Sequence, residues 1–192
     1  MRKTHSIIKK AVVAPIFFLL LFAPSYGQTL NNNWEQELAA SLKQFMKCTN
    51  SGGTACNNYV GESLTKVYKV NDFYSSKLGR YMMVSEIEKY LAEEGKWTLL
   101  GHVYDQKTLT EAQQSANSKK AVVALYTNDE GIGHISLILP GELHTSGSWG
   151  LKVPNSASFF ANQPENSYIG KGLSYAFGKN MIKDVVLYVR NY

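Results

Sequence analysis

Cys56 follows the glycine-bearing stretch Ser51-Gly52-Gly53-Thr54-Ala55 and opens an apolar periodic run. This spacing puts its thiol at the first turn of an expected helix. A helix N-terminus gathers unpaired N–H groups and partial positive charge, which favours a thiolate and a nucleophile. Such a nucleophile needs a base that takes its proton. His134 fits that role by position. It follows Gly131-Ile132-Gly133 and opens a run of alternating apolar residues, so it stands at the mouth of an expected strand. Two further histidines lie in this part of the chain. His102 is expected in a loop after Leu99-Leu100-Gly101, as a surface residue, and His144 just past Pro140-Gly141. Another reading of the same cysteine is structural. Seven residues separate Cys48 from Cys56, and the glycines between them let a disulfide close, which would remove the nucleophile.

The elements that position these residues follow from periodicity and punctuation. Trp34, Leu38, Leu42, Phe45 and Met46 repeat at helical spacing and predict a helix over 34–47. A second helix is expected from about Ala55 to before Asn71-Asp72, with Val60, Leu64, Val67 and Tyr68 on one face. A third covers 84–94, with Ser85 and Glu88 matching a capping box and Gly95 as its stop. Thr108 with Glu111 repeats the box ahead of a short helix over 109–117. Residues 121–126, 134–139 and 184–189 read as strands, and one more is expected around 151–160, next to a long aromatic loop. Helices first and strands later predict an α+β fold with an antiparallel sheet.

The chain has 192 residues, 44% hydrophobic and 18% charged, which suits one globular domain and excludes a disordered or disulfide-dense chain. Arg2, Lys3, Lys9 and Lys10 precede an apolar run from Ala11 to Ala23, followed by Pro24-Ser25-Tyr26-Gly27. This is the pattern of a secretory signal peptide over 1–27, with a mature domain over 28–192. The run is shorter than the roughly 20 residues of a membrane span. No cysteine directly follows it, so a lipoprotein anchor is not expected. Without the leader the chain keeps 16 basic against 15 acidic residues, so the basic pI of 9.1 does not argue for nucleic acid. Two cysteines exclude a Cys₄ zinc site.

Ala55-Cys56-Asn57-Asn58-Tyr59-Val60 resembles the cysteine motif of the papain-like cell-wall hydrolases, the NlpC-type endopeptidases and CHAP amidases. In that motif a cysteine opens a helix and an aromatic-aliphatic pair follows. Gly133-His134-Ile135-Ser136-Leu137-Ile138 resembles their histidine motif, and the order of the two motifs is also the family's. There are departures. Ala55 stands where the NlpC branch often has Asp, Asn57-Asn58 replace Ser-Gly, and His134 lies 78 positions after Cys56, farther than in compact members.

The resemblance implies a papain-like fold, with N-terminal helices packed on a small antiparallel sheet. It implies an exported cysteine peptidase or amidase, periplasmic or secreted, that cleaves amide bonds in peptidoglycan peptide stems. The catalytic residues would be Cys56 and His134, with a third polar residue on the strand after the histidine. Asn155, in Lys152-Val153-Pro154-Asn155, is preferred there, and His144 is the other candidate. A tight Pro140-Gly141 hairpin would favour odd-numbered residues on the histidine's side of the sheet, and a longer turn would favour even-numbered ones. No metal or cofactor, no nucleic acid, no membrane contact after leader removal and a monomeric state are expected. The alternatives are a secreted binding domain with a Cys48–Cys56 disulfide and no catalysis, and a toxin-type amidase acting on rival cells.

Overall fold

The computed structural model describes residues 29–50, 59–128, 130 and 132–192. The expected leader, the glycine loop after Cys48, and Cys56 itself lie outside the described residues. Among those residues the order is α1 (Trp34–Asn50), α2 (Tyr59–Tyr68), β1 (Tyr74–Ser75), β2 (Arg80–Tyr81), α3 (Val84–Glu93), β3 (Trp97–His102) and α4 (Gln106–Asn117). There follow β4 (Val122–Thr127), β5 (Gly133–Ile138), β6 (His144–Ser146), β7 (Leu151–Val153), β8 (Asn155–Ser158), β9 (Tyr168–Gly172) and β10 (Val186–Arg190). The fold is α+β. Six strands form one antiparallel sheet in the order β3-β10-β4-β5-β8-β9.

The sheet buries both faces, and the period of two along each strand sorts its side chains. Ile135, Leu137 and Leu139 share a core with Val123 and Leu125 of β4 and with Leu38, Phe45, Leu64 and Tyr68 of α1 and α2. Ile138, with Val122 and Ala124 of β4, packs on the other side against Leu109 and Ala112 of α4 and against Trp149 and Phe177. Buried on both faces, β4 and β5 read as nearly continuous apolar runs, which is why they stand out in the sequence.

Asp72 ties the chain ends of the sheet together. It accepts from Trp97 Nε1 (3.1 Å) and pairs with Arg190 through Nε (2.7 Å) and Nη2 (3.2 Å). Tyr68, fully buried at the end of α2, donates its hydroxyl to the Ile138 carbonyl of β5 (2.7 Å). Burial holds its phenol pKa well above the usual value, so it remains a donor at any ordinary pH. Tyr68→Phe leaves that carbonyl with one partner fewer in an apolar setting. It is expected to cost about 1–3 kcal/mol in urea denaturation, whereas a change under 0.3 kcal/mol would show that the bond adds nothing.

Several local expectations are corrected. Ser85 does not cap α3. The Glu86 carboxylate accepts from the Met83 N–H (2.7 Å) and binds Arg80, so the box lies two residues earlier. Helix α4 starts at Gln106, because Asp105 accepts from the Lys107 N–H (2.9 Å) as its cap, in place of Thr108. Helix α2 is present among the described residues from Tyr59, and the start expected near Ala55 lies outside them. Residues 97–102, expected to include a loop at His102, form edge strand β3. The single strand expected over 151–160 is two. Pro154 has no N–H to donate, and on its two sides β7 pairs with β6 while β8 pairs with β5.

Candidate active site

His134 is the second residue of β5. The glycine before it is required by packing, because a Cβ at Gly133 would collide with the Tyr126 carbonyl oxygen and lie 2.9 Å from Val84 of α3. The strand mouth and the start of α3 therefore approach closely, and the histidine is held at that junction. Its ring lies almost parallel to Phe160, with centroids 4.4 Å apart and planes at 7°, and edge-on to Phe177 at 5.4 Å. Its Nε2 is hydrogen-bonded to the Ser158 hydroxyl (2.8 Å).

Ser158 is completely buried and is bonded in turn to Ser136, also buried. Ser156, on the same face, shares a hydrogen bond with the Tyr168 hydroxyl (2.9 Å) and donates to the Lys171 carbonyl (3.0 Å). The histidine thus heads a buried row of hydroxyls carried by β5, β8 and β9. Desolvation against the two phenylalanines lowers its pKa to about 4, so the resting imidazole is neutral at pH 7. Burial likewise raises the Tyr168 phenol to about 12.

Asn155 does not reach this ring. Its amide donates to the Pro140 carbonyl (2.8 Å), and its oxygen is bonded to His144 Nε2 (3.3 Å). Strand register gives the reason. Ser136 faces Ser158 and Ile138 faces Ser156, so even-numbered residues of β8 share the face of His134 and Asn155 falls on the opposite one. The connection between β5 and β8 is not a tight hairpin. It carries the separate β6–β7 ribbon, which sets the longer register. His144, at the exposed start of β6, is also away from His134. His102 ends β3, stacked on Tyr104 with centroids 5.2 Å apart.

His134 lines a cleft of about 520 Å³ together with Tyr59, Val60 and Gly61 at the start of α2, Met83 and Val84 at the start of α3, and the Phe159–Gln163 segment. Tyr59 stacks on Phe159 at 5.7 Å. Phe159 and Phe160, at the head of the long aromatic loop, both line the cleft, and Phe159 also belongs to the buried core. Cys56, the expected nucleophile, precedes Tyr59 by three residues and is outside the described residues. Cys48 is disulfide-bonded, and the sequence contains one other cysteine, Cys56. No cluster of three metal-ligating side chains occurs among the described residues.

The sequence pointed to His134 and missed Ser158, Ser136 and Phe160. The signal available was the run Asn155-Ser156-Ala157-Ser158 of small residues ahead of two phenylalanines. Small polar residues at every second position mark a face shared with a polar group. Comparison with protein-family models and with curated proteins gives no match.

Proposed function

We propose that this chain is an exported cysteine hydrolase of papain-like architecture that cleaves amide bonds in peptidoglycan peptide stems once its cysteine is reduced. The observation that carries this reading is the setting of His134. A neutral imidazole stands at a strand mouth, in a cleft also lined by the start of α2, with one ring nitrogen held by a buried hydroxyl and one face covered by an aromatic ring.

That setting suits a general base. With Nε2–H donating to Ser158, the proton sits on Nε2 and the Nδ1 lone pair is free. Nδ1 takes the Cys56 proton, and the sulfur attacks the scissile carbonyl. Unpaired N–H groups at the start of the helix stabilise the oxyanion. The C–N bond breaks as the imidazolium returns its proton to the leaving amine. Water, deprotonated by the same nitrogen, then hydrolyses the thioester and frees the thiol. Ser158 acts as the positioning residue for which sequence had offered Asn155 or His144.

The disulfide on Cys48 favours a second reading, a secreted binding domain in which that bridge is permanent and no thiol reacts. One experiment separates the two. Mature protein is incubated with peptidoglycan, with and without a dithiol reductant, and new amino groups are counted. The hydrolase releases them only after reduction, and a single cysteine then labels fast with iodoacetamide at pH 6. No release in either condition, with both cysteines labelling equally and only after reduction, assigns the chain to the binding class.

A further inference from the structure

The buried row of hydroxyls behind His134 has a direction, and that direction is set at its far end. A serine or tyrosine hydroxyl has one proton to give, and a carbonyl oxygen can only accept. Ser156 gives its proton to the Lys171 carbonyl of β9 (3.0 Å), so the 2.9 Å bond between Ser156 and Tyr168 carries the proton of the phenol. The Gly172 carbonyl lies 3.5 Å from the same Tyr168 oxygen as a second acceptor. Whichever of the two it serves, the Tyr168 proton points away from His134. Tyr168 faces Ser158 across the β8–β9 ladder, and its oxygen also meets the hydroxyls of Ser136 and Ser158. Toward those two serines it can only accept. Burial keeps the phenol protonated up to about pH 12, so this polarity holds at any working pH.

The remaining protons then have one arrangement. From His134 through Ser158, Ser136, Tyr168 and Ser156 to the Lys171 carbonyl there are five links and four hydroxyls, so the fifth proton is the one on Nε2. With the proton on Nδ1 instead, Ser158 would have to donate to Nε2, and one link of a row buried from water would hold no hydrogen. Such a gap lowers the population of that form by about tenfold or more. We infer that Tyr168 is a positioning residue for His134: by accepting from the serine pair it fixes the Nε2–H tautomer and leaves the Nδ1 lone pair to the cleft. The row ends on a carbonyl, so no proton leaves along it, and the imidazole exchanges protons through Nδ1 alone. The tautomer is a property of the fold, whereas any effect of Tyr168 on catalysis rests on the hydrolase reading.

The tautomer is read from the nitrogen NMR shifts of the His134 ring in the oxidised chain at pH 7, where the imidazole is neutral. Wild type is expected to hold the Nε2–H form at about nine-tenths or more. Tyr168→Phe keeps the aromatic ring edge-on to Tyr175 but removes the accepting oxygen. The Ser136 proton then finds a partner only in the reversed order, Ser136 to Ser158 to Nε2, so the Nδ1–H form should rise to about half or more. Ser156→Ala is the control. It also removes one buried hydroxyl, yet it leaves Tyr168 the Gly172 carbonyl to donate to, so the tautomer should stay as in wild type. A wild-type Nδ1–H form, an unchanged tautomer in Tyr168→Phe, or the same shift in both variants overturns the inference. Reduced chains are assayed on peptidoglycan in parallel. There Tyr168→Phe should lower kcat by about twofold to tenfold with KM unchanged, since only the Nε2–H fraction is competent, and a wild-type kcat would overturn the positioning role. The expected tautomers without any cleavage by wild type leave the tautomer assignment standing and overturn the hydrolase reading, so the two failures are distinct.

Discussion

In the presence of reductant, Cys56→Ser is expected to lower release of peptide fragments from peptidoglycan by about 10⁴-fold or more, the usual scale for loss of a nucleophile. His134→Ala should produce a loss of similar order, because in the proposed hydrolase nucleophile and base act as one unit, and the double variant should be little worse than either single one. Ser158→Ala is different. It leaves both reacting groups in place and removes only the hydroxyl on Nε2, a bond of about 1–3 kcal/mol when its loss strands a buried partner. It should lower kcat by about tenfold to a hundredfold with KM nearly unchanged, since Ser158 is buried beneath the ring and cannot touch substrate. Asn155→Ala should leave kcat within about threefold of wild type, because the Asn155 amide serves Pro140 and His144. If Asn155→Ala were as damaging to kcat as His134→Ala, Ser158 would not be the positioning residue. Cys48→Ser gives the complementary result: activity that no longer needs reductant, if Cys48 bridges the nucleophile.

The helices and central strands were legible because their signals are local. α1 carries its apolar stripe over four turns, and β4 and β5 are apolar runs bounded by turns. Even His134 was legible, since a Gly-His pair opening an apolar strand is a local pattern. What the sequence concealed depends on long-range register. Asn155 and Ser158 are three residues apart, and which of them meets His134 depends on whether the strand pairs through a two-residue turn or around the sixteen-residue excursion over 139–154. A shift of one residue moves every side chain to the opposite face. β3 was hidden for a related reason. As an edge strand its Leu99 is exposed, so it lacks both the alternation of a half-buried strand and the full apolar run of a central one. The capping errors were local but degenerate: Asp105 and Thr108, or Met83 and Ser85, lie within one turn of each other, and only the side-chain bond decides between them.

Stability should fall as pH drops from about 6.5 to about 4, and His134 should be the cause of a definite part of that fall. The folded imidazole holds its proton only below about pH 4 because Phe160 and Phe177 exclude water from it, whereas the unfolded chain takes the proton near 6.5. Between those values the unfolded state binds more protons, so acid favours unfolding, and the stabilisation is fully present only above pH 6.5. The difference corresponds to about 3 kcal/mol if the burial is complete, and less to the extent that the half-buried ring meets solvent at the cleft. Other groups titrate over the same window, so the measurement is a comparison. Urea denaturation of the oxidised wild-type and His134→Gln chains at pH 4.5 and pH 7 should show a steeper loss for wild type, because glutamine has no proton to gain. Equal losses would mean that the imidazole is solvated and that its ordinary pKa survives folding. Reduction adds a second arm. A Cys56 thiolate beside the ring would favour the imidazolium and raise its pKa, opposing the effect of burial. NMR titration of His134 should therefore give a higher pKa in the reduced chain than in the oxidised one, and the Cys56→Ser chain should keep the low value under both conditions. A His134 pKa that does not respond to reduction would place the thiol too far from the imidazole for the two to exchange a proton.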